Sequence, residues 1–148
     1  MVCEIANRKG EFMQESQQQQ RRISTTLMDM EVLSDWGLSA SQQADVLAMP
    51  QGTRSRHMHQ YKEGVPLPED PNLDVRVDHI LGISDALRTS YPRNLEMGAY
   101  WMRQSSKKRF ENRAPLQCIL EDGLEGLLAV RIHLDCAYGW HIDTQKSN

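Results

Sequence analysis

The sequence has few cysteines, few aromatic side chains and no long apolar run. Cys3, Cys118 and Cys136 are odd in number and widely spaced, so they predict neither a disulfide framework nor a Cys-x-x-Cys metal pair; the last two are expected to be buried, unreactive thiols. Aromatic residues make up only 6% of the chain, and Val, Ile and Thr form no runs, which argues against a β-sandwich or a barrel. No stretch approaches the ~20 apolar residues of a membrane helix, and residues 1–14 lack signal-peptide features. These absences predict a soluble, cytoplasmic protein with no membrane partner.

Patterns typical of catalysis and metal binding are missing as well. His57 and His59 are two residues apart and would point in different directions on a helix. His133 and His141 lie near Cys136 without the i, i+4 spacing of a zinc site. The sequence has no glycine-rich phosphate loop, no nucleophilic serine elbow and no paired carboxylates with an assigned partner. We therefore expect no catalytic residue, no metal and no cofactor, and a chain that is not an enzyme.

Charged side chains are unevenly distributed along a chain whose net charge is −3. Residues 69–87 contain five acidic side chains and one arginine, whereas residues 88–113 contain seven basic side chains and two acidic ones. Such a reversal indicates either that the two segments pack on each other or that they contact separate partners. The composition leaves both alternatives open.

The N-terminal part begins with a polar segment. Residues 1–22 have too little apolar surface to offset the entropy of ordering, so they are expected to be a disordered arm or a frayed helix, with structured chain from near Ile23. Residues 24–36 carry apolar side chains at helical spacing, and Gly37 follows where a helix C-cap glycine is expected. The spaced apolar residues are Leu27, Met30, Leu33 and Trp36.

Two short helices follow. Ser39 and Gln42 form the pattern of a capping box at the start of one helix, and residues 53–61 are expected to form the next. Two short helices joined by a tight turn match the outline of a helix-turn-helix, whose second helix contacts DNA bases. The candidate DNA-contacting residues are therefore Thr53, Arg54, Arg56, His57 and Gln60.

A linker with three of the six prolines, residues 64–71, separates the two halves of the chain. Asp70 followed by Pro71 is a typical helix start, because aspartate caps free amides and proline suits the first helical position. That helix is expected to turn near Gly82. A further helix is expected to be capped by Asn94.

The last third is expected to be helical after a basic polar loop at residues 105–112. Pro115 begins a short helix that Gly123 ends, and residues 124–138 form the last helix, with a polar tail from His141. Apolar residues nearly encircle this last helix. A helix of that kind is either central to the core or shared with a partner.

Five short motifs occur in order along the chain. They are Trp36-Gly37-Leu38-Ser39, Arg76 with Ile80-Leu81-Gly82-Ile83, Tyr100-Trp101-Met102, Arg113-Ala114-Pro115-Leu116, and the run GLEGLLAVRIHLDCAYGW at residues 123–140. Together they resemble the entry to the helix-turn-helix, the linking helix, the aromatic helix, the R-x-P-L turn and the closing motif of the MbcA/ParS/Xre antitoxins. The resemblance covers most of the expected folded chain, residues 30–140.

This resemblance implies two modules. The first is an Xre-like helix-turn-helix that represses the toxin–antitoxin operon, and the second binds a RES-domain toxin that destroys NAD. In the family, the C-terminal segment of the antitoxin blocks the entrance to the toxin's active site. Residues 131–148 are then the inhibitory element, in which Trp140 is either an apolar anchor or an aromatic that closes the core. The implied toxin-contacting residues are Trp101, Arg113, Arg131, Asp135, Tyr138, Trp140 and Asp143.

The sequence thus predicts an all-α fold, a small helical bundle. Residues 23–87 are expected to form the helix-turn-helix domain with its linking helix, and residues 88–148 the toxin-binding domain with a polar C-terminal tail. The resemblance implies the antitoxin of a type II toxin–antitoxin system, with a cognate RES-domain toxin and operator DNA as partners and a homodimer within the larger complex. The alternative is a solitary helix-turn-helix transcription regulator whose C-terminal domain serves dimerisation.

Overall fold

A computed structural model of the chain describes the backbone of residues 2–146 and the side chains of residues 7–136. This part of the chain is all-helical, as predicted, and contains no strand. Seven α-helices and one 3₁₀ turn (Phe110–Asn112) make up the described backbone. The helices are α1 (Val2–Asp35), α2 (Ala40–Val46), α3 (Ser55–Lys62), α4 (Pro71–Ser90), α5 (Glu96–Arg103), α6 (Pro115–Asp122) and α7 (Leu124–Lys146).

The first helix is longer than the sequence predicts. The backbone is helical from Val2, not only from near Ile23, although every side chain from residue 7 to residue 21 is exposed. Tertiary packing therefore begins where structured chain was expected to begin. The helix ends at Asp35, and Gly37 follows with a φ of +82°, the left-handed conformation expected of a glycine after a helix. Of the predicted apolar stripe, Met30, Leu33 and Trp36 are buried, whereas Leu27 is exposed.

The start of α2 is the predicted capping box. The Ser39 amide donates to Gln42 Oε1 (2.9 Å), and the Gln42 amide donates to Ser39 Oγ (3.3 Å). The next helix, α3, begins at Ser55, two residues later than predicted, and buries Met58 and Tyr61. It packs on both α1 and α2.

Asp70 caps α4 as predicted, because its Oδ1 accepts a hydrogen bond from the Asn72 amide (3.0 Å) and Pro71 is the first helical residue. The predicted turn near Gly82 is wrong, since α4 runs without interruption to Ser90. Glycine is present for a different reason: a Cβ atom there would lie 2.6 Å from Cζ of Arg131 on α7.

The remaining helices follow their predicted signals except at the C-terminus. Asn94 Oδ1 accepts a hydrogen bond from the Glu96 amide (3.2 Å) at the start of α5. Pro115 is the first residue of α6, and Gly123, with φ +64°, ends it. The prediction that the last helix ends near residue 138 is wrong, because the backbone of α7 is helical to Lys146.

One continuous core joins all seven helices. Its fully buried members come from both halves of the chain and include Leu33, Met58, Ile80, Ile119 and Leu127. The most extensive packing is that of α7 on α4 and α6. None of the described helices combines the length and the apolarity required to cross a membrane.

Candidate functional site

The exposed face of α3 carries the predicted DNA-contacting residues. Arg54 is the residue before the helix, and Arg54, Arg56 and His57 are exposed. Gln60 is half-buried. Thr53 lies in the preceding turn, where its hydroxyl donates to the Pro50 carbonyl (2.6 Å). The structure therefore brings together three exposed polar side chains at the N-terminal end of α3, and Thr53 shapes the turn before them.

A groove lies between α2 and α3. Ala40 and Gln43 form its α2 wall, and Arg56, His59 and Lys62 contribute to its α3 wall. His59 Nε2 lies 3.2 Å from Oε1 of Glu63. Lys62, the last residue of α3, is a phosphate-neutralising cation that sequence offers beside Arg54 and Arg56, and it lines this groove together with Arg56.

Arg113, a predicted toxin-contacting residue, is engaged within the chain. Its Nη1 lies 3.1 Å from Glu121 Oε2, its Nη2 lies 2.9 Å from Asp122 Oδ2, and its Nε donates to the Phe110 carbonyl (3.2 Å). The hydrogen bond from Arg113 lowers the pKa of Asp122; hydrogen bonds from Gln117 and then Arg113 lower the pKa of Glu121. Arg113 therefore joins the 3₁₀ turn to α6.

Arg131 is likewise held by the fold. Its Nη1 lies 3.0 Å from Asp78 Oδ2 and 3.0 Å from His79 Nδ1, both on α4. Its Nε lies 4.0 Å from Asp135, one turn further along α7. With Gly82 beneath it, this side chain connects α7 to α4.

Trp101 belongs to a half-buried aromatic cluster. Its ring stacks on His133 of α7 with 6.0 Å between centroids, and the Phe110 ring meets the edge of His133 at 5.4 Å. The guanidinium of Arg109 lies over the Trp101 ring at 4.9 Å, a cation–π contact. Burial, with the positive charge of Arg109, lowers the pKa of His133. The cluster fixes the basic loop against α5 and α7.

The outer face of α7 carries an apolar stripe. Leu124, Leu128 and Ile132 are spaced four residues apart and are 36%, 43% and 52% exposed. The inner face of the same helix buries Leu127, Val130 and Leu134. The core alternative is thus confirmed for the inner face of this helix, whereas a partner for its outer apolar face stays a prediction.

The remaining predicted toxin-contacting residues lie at or beyond the end of the described side chains. Asp135 is exposed. The side chains of Tyr138, Trp140 and Asp143 lie outside the described residues. Cys136 was expected to be buried, and this is wrong: it is exposed, whereas Cys118 is buried as expected.

The oppositely charged segments do not pair with each other. Among the described side chains, no ion pair joins residues 69–87 to residues 88–113; Asp78 pairs with Arg131 instead. Arg103, Lys107 and Lys108 are exposed and have no described carboxylate within 4.0 Å. The two segments nevertheless pack on each other, because α4 contacts α5 and a Cβ atom on Gly98 would lie 3.2 Å from Leu87 Cβ. Separate partners for the exposed cations stay a prediction.

Two surfaces therefore stand out in the described chain: the basic face of α3 and the apolar stripe of α7. One has the chemistry for phosphate contact, and the other has the chemistry for docking against protein. Comparison of the chain with protein-family models, with curated proteins and with solved structures finds no match.

Proposed function

We propose that this protein is the antitoxin of a type II toxin–antitoxin system, which binds and neutralises a RES-type NAD-degrading toxin and represses its own operon. The observation that carries the proposal is the apolar stripe of α7. It lies within the run, residues 123–140, that most resembles the closing motif of the MbcA/ParS/Xre antitoxins. An apolar stripe that the chain leaves uncovered supports a protein partner at this motif.

The stripe has the size of a helix-docking surface. Leu124, Leu128 and Ile132 are between 36% and 52% exposed, so their complete burial contributes about 1 kcal/mol each. Three such side chains at i, i+4 and i+8 form the pattern with which one helix packs into a groove of its partner. Glu125 and Asp135 are exposed beside the stripe, which favours a partner with basic side chains around its apolar groove.

The helical backbone of α7 supports a rigid inhibitory element. Residues 131–146 continue the helix whose inner face belongs to the core, so the backbone after Leu134 keeps the direction that the core gives it. In this proposal the segment enters the toxin's active-site entrance. The carboxylate of Asp143 then pairs with cationic groups that otherwise bind the phosphates of NAD.

The repressor activity rests on α2 and α3. The capped start of α2, the turn after it and the exposed cations of α3 have the order of a helix-turn-helix. Arg54 and Arg56 supply phosphate contacts, and His57 and Gln60 lie on the same helix for base contacts.

The test is co-expression with a RES-domain protein, followed by size exclusion and by measurement of the NAD that remains over time. We expect a stable complex in which NAD is preserved. Leu128→Asp should dissociate the complex and release NAD degradation, because the carboxylate would be buried in an apolar interface. Leu95→Asp is the matched control, since Leu95 is an exposed leucine at the start of another helix. Inhibition that survives Leu128→Asp would remove the stripe from the toxin interface.

The exposed stripe also favours the second candidate, a solitary regulator that dimerises through α7. An antiparallel pair of α7 helices centred on Leu128 would cover the stripe of both copies. In that arrangement Glu125 of one copy lies level with Arg131 of the other, so the charges beside the stripe do not oppose self-association. A monomer–dimer equilibrium that Leu128→Asp abolishes in the protein alone, without any RES partner, would support this candidate instead.

A further inference from the structure

Two groups of exposed cations lie near the N-terminal end of α2. Arg56 and Lys62 of α3 line the groove whose other wall begins at Ala40. The end of α5 approaches Gly37, where Nη1 of Arg103 lies 3.3 Å from the position of a Cβ atom. Gly37 and Ala40 are three residues apart, so both groups of cations lie close to a single short stretch of chain.

The loop after α5 extends the second group. Lys107 and Lys108 are exposed in this loop, a few residues beyond Arg103. The Lys108 amide donates to Ser106 Oγ (3.4 Å), and the Arg109 amide donates to the Ser106 carbonyl (3.2 Å). With the contact of Arg109 on Trp101, these bonds hold both lysines on an ordered turn.

None of these cations forms an ion pair with a described side chain. No described carboxylate lies within 4.0 Å of Arg56, Lys62, Arg103, Lys107 or Lys108. The acidic residue beside the α3 group, Glu63, contacts His59 instead. The five form what we call the basic band, which runs from α3 past the start of α2 to the loop after α5.

We infer that the basic band binds the phosphate backbone of duplex DNA, so that the C-terminal module of this protein contributes to DNA binding alongside α3. The inference rests on the proposed repressor function. In a helix-turn-helix the first helix crosses the sugar–phosphate backbone while the second enters the major groove. Cations close to the start of α2 are therefore near the path of the phosphates, and those of α5 and its loop add to the contacts of α3.

The placement of the basic band favours DNA over an acidic protein. Two of its cations lie on α3 and the other three lie on α5 and the loop after it, near the start of α2, whereas the apolar surface suited to a protein partner lies on α7. Phosphate contacts carry no sequence information. Removal of the loop lysines should therefore weaken binding equally for every duplex, and it should reduce the salt dependence by about one unit of slope for each phosphate that is no longer neutralised.

The test is fluorescence anisotropy with two labelled duplexes, one from upstream of the protein's own reading frame and one of unrelated sequence, across a range of salt concentrations. The variants are Lys107→Ala/Lys108→Ala for the loop and Arg54→Ala/Arg56→Ala for α3. Arg8→Ala/Lys9→Ala is the control, since it removes the same charge from the exposed part of α1, about 40 Å along the helix from Asp35. We expect the loop variant to bind both duplexes about tenfold more weakly, with a slope about two units smaller. Lys107→Arg/Lys108→Arg should retain wild-type binding.

Each other outcome overturns the inference in a distinguishable way. If the loop variant binds DNA as tightly as the wild type while the α3 variant binds more weakly, α3 binds DNA and the loop does not contribute. An equal weakening in the Arg8/Lys9 control would assign the effect to total charge and not to position. If the loop variant keeps its DNA affinity but no longer protects NAD from the toxin, the loop belongs to the toxin interface. Failure of the wild-type protein to bind either duplex would overturn both the inference and the repressor function, whereas toxin neutralisation is measured independently.

Discussion

Arg131 of α7 lies against Gly82 of α4, so closely that a Cβ atom on residue 82 would come within 2.6 Å of the guanidinium carbon. The space left by the missing side chain lets Arg131 reach Asp78 and His79 on the preceding turn of α4. Arg131, which belongs to the antitoxin-like motif, therefore connects α7 to α4 within the fold.

We predict that Gly82→Ala lowers the free energy of unfolding by about 1 kcal/mol. The methyl group displaces the end of a flexible side chain, so the cost is the disruption of the Arg131 interactions, offset in part by the higher helix propensity of alanine. In an Arg131→Ala background the same change should raise stability by about 1 kcal/mol, because only the propensity term remains. Urea unfolding of the four proteins in this double-mutant cycle measures the difference.

Gly126 contrasts with Gly82, because the obstacle is backbone. A Cβ atom on Gly126 would overlap the carbonyl group of Cys118 at the closest approach of α6 and α7. We predict that Gly126→Ala costs at least about 3 kcal/mol, since the two helices must separate to accept the methyl group. Gly10→Ala is the control, as a Cβ atom there meets nothing within 4 Å. Thermal melting that leaves both variants at the wild-type midpoint would contradict the close packing of α6 on α7.

Asp29 makes stability dependent on pH. Its carboxyl group is fully buried, neither oxygen has a hydrogen-bond partner among the described residues, and burial raises its pKa from 3.8 to about 7. The raised value means that the folded protein retains a proton that the unfolded chain releases. Stability from this group is thus fully present below pH 3.8 and is lost as pH rises toward 7, by about 4 kcal/mol in total.

We therefore predict that Asp29→Asn stabilises the protein at pH 8 and has little effect at pH 4, because the amide remains neutral at both. Chemical unfolding at the two pH values measures the difference. Asp45→Asn is the control, since Asp45 is exposed and its replacement should leave the pH dependence as it is in the wild type. Identical pH profiles for the wild type and Asp29→Asn would show that the carboxyl group is solvated.

Arg113 is predicted to order the basic loop. Removal of its side chain in Arg113→Ala breaks the interactions with Glu121, Asp122 and the Phe110 carbonyl. The amide of residue 113, which donates to the Phe110 carbonyl, should then exchange with solvent much faster, while buried amides of α4 remain protected. In the wild type the protection of the same amide, measured against its intrinsic exchange rate at each pH, should fall under acidic conditions. Both acids have lowered pKa values, so their contribution is present above their ordinary pKa values and is lost as pH falls through the folded ones.

The parts of the fold that sequence predicts are those with local causes. The capping box of Ser39 and Gln42, the Asp70–Pro71 start and the glycine after α6 each depend on residues within one helical turn. The turn assigned to Gly82 failed because the reason for glycine there is a side chain on α7, far along the chain. The residues next to Gly82 in the sequence do not indicate that Arg131 packs against it.

The candidate site was predicted less completely than the fold. Arg113 and Arg131 occupy positions of the antitoxin-like motifs. Their ion pairs with Glu121 and Asp78 show that both side chains make structural contacts within the fold. Asp29 was missed although helical spacing places it between Thr26 and Leu33 on the buried face of α1. A charged residue within an apolar stripe was the available signal. The proximity of Arg103 to Gly37 depends on tertiary packing and has no counterpart in the sequence.

Because the backbone of α1 is helical without interruption, the position of each of its residues relative to the core follows from its residue number. Because the rise of a helix is about 1.5 Å per residue, the exposed stretch from residue 7 to residue 21 extends about 20 Å from the point where packing on the core begins. Each residue of this stretch also has a fixed angular position around the helix axis. Phe12 and Met13, which are 74% and 62% exposed, are thus held at a set height and angle relative to α3, which packs on the same helix. A label attached there reports the orientation of α3 directly, as a flexible arm would not.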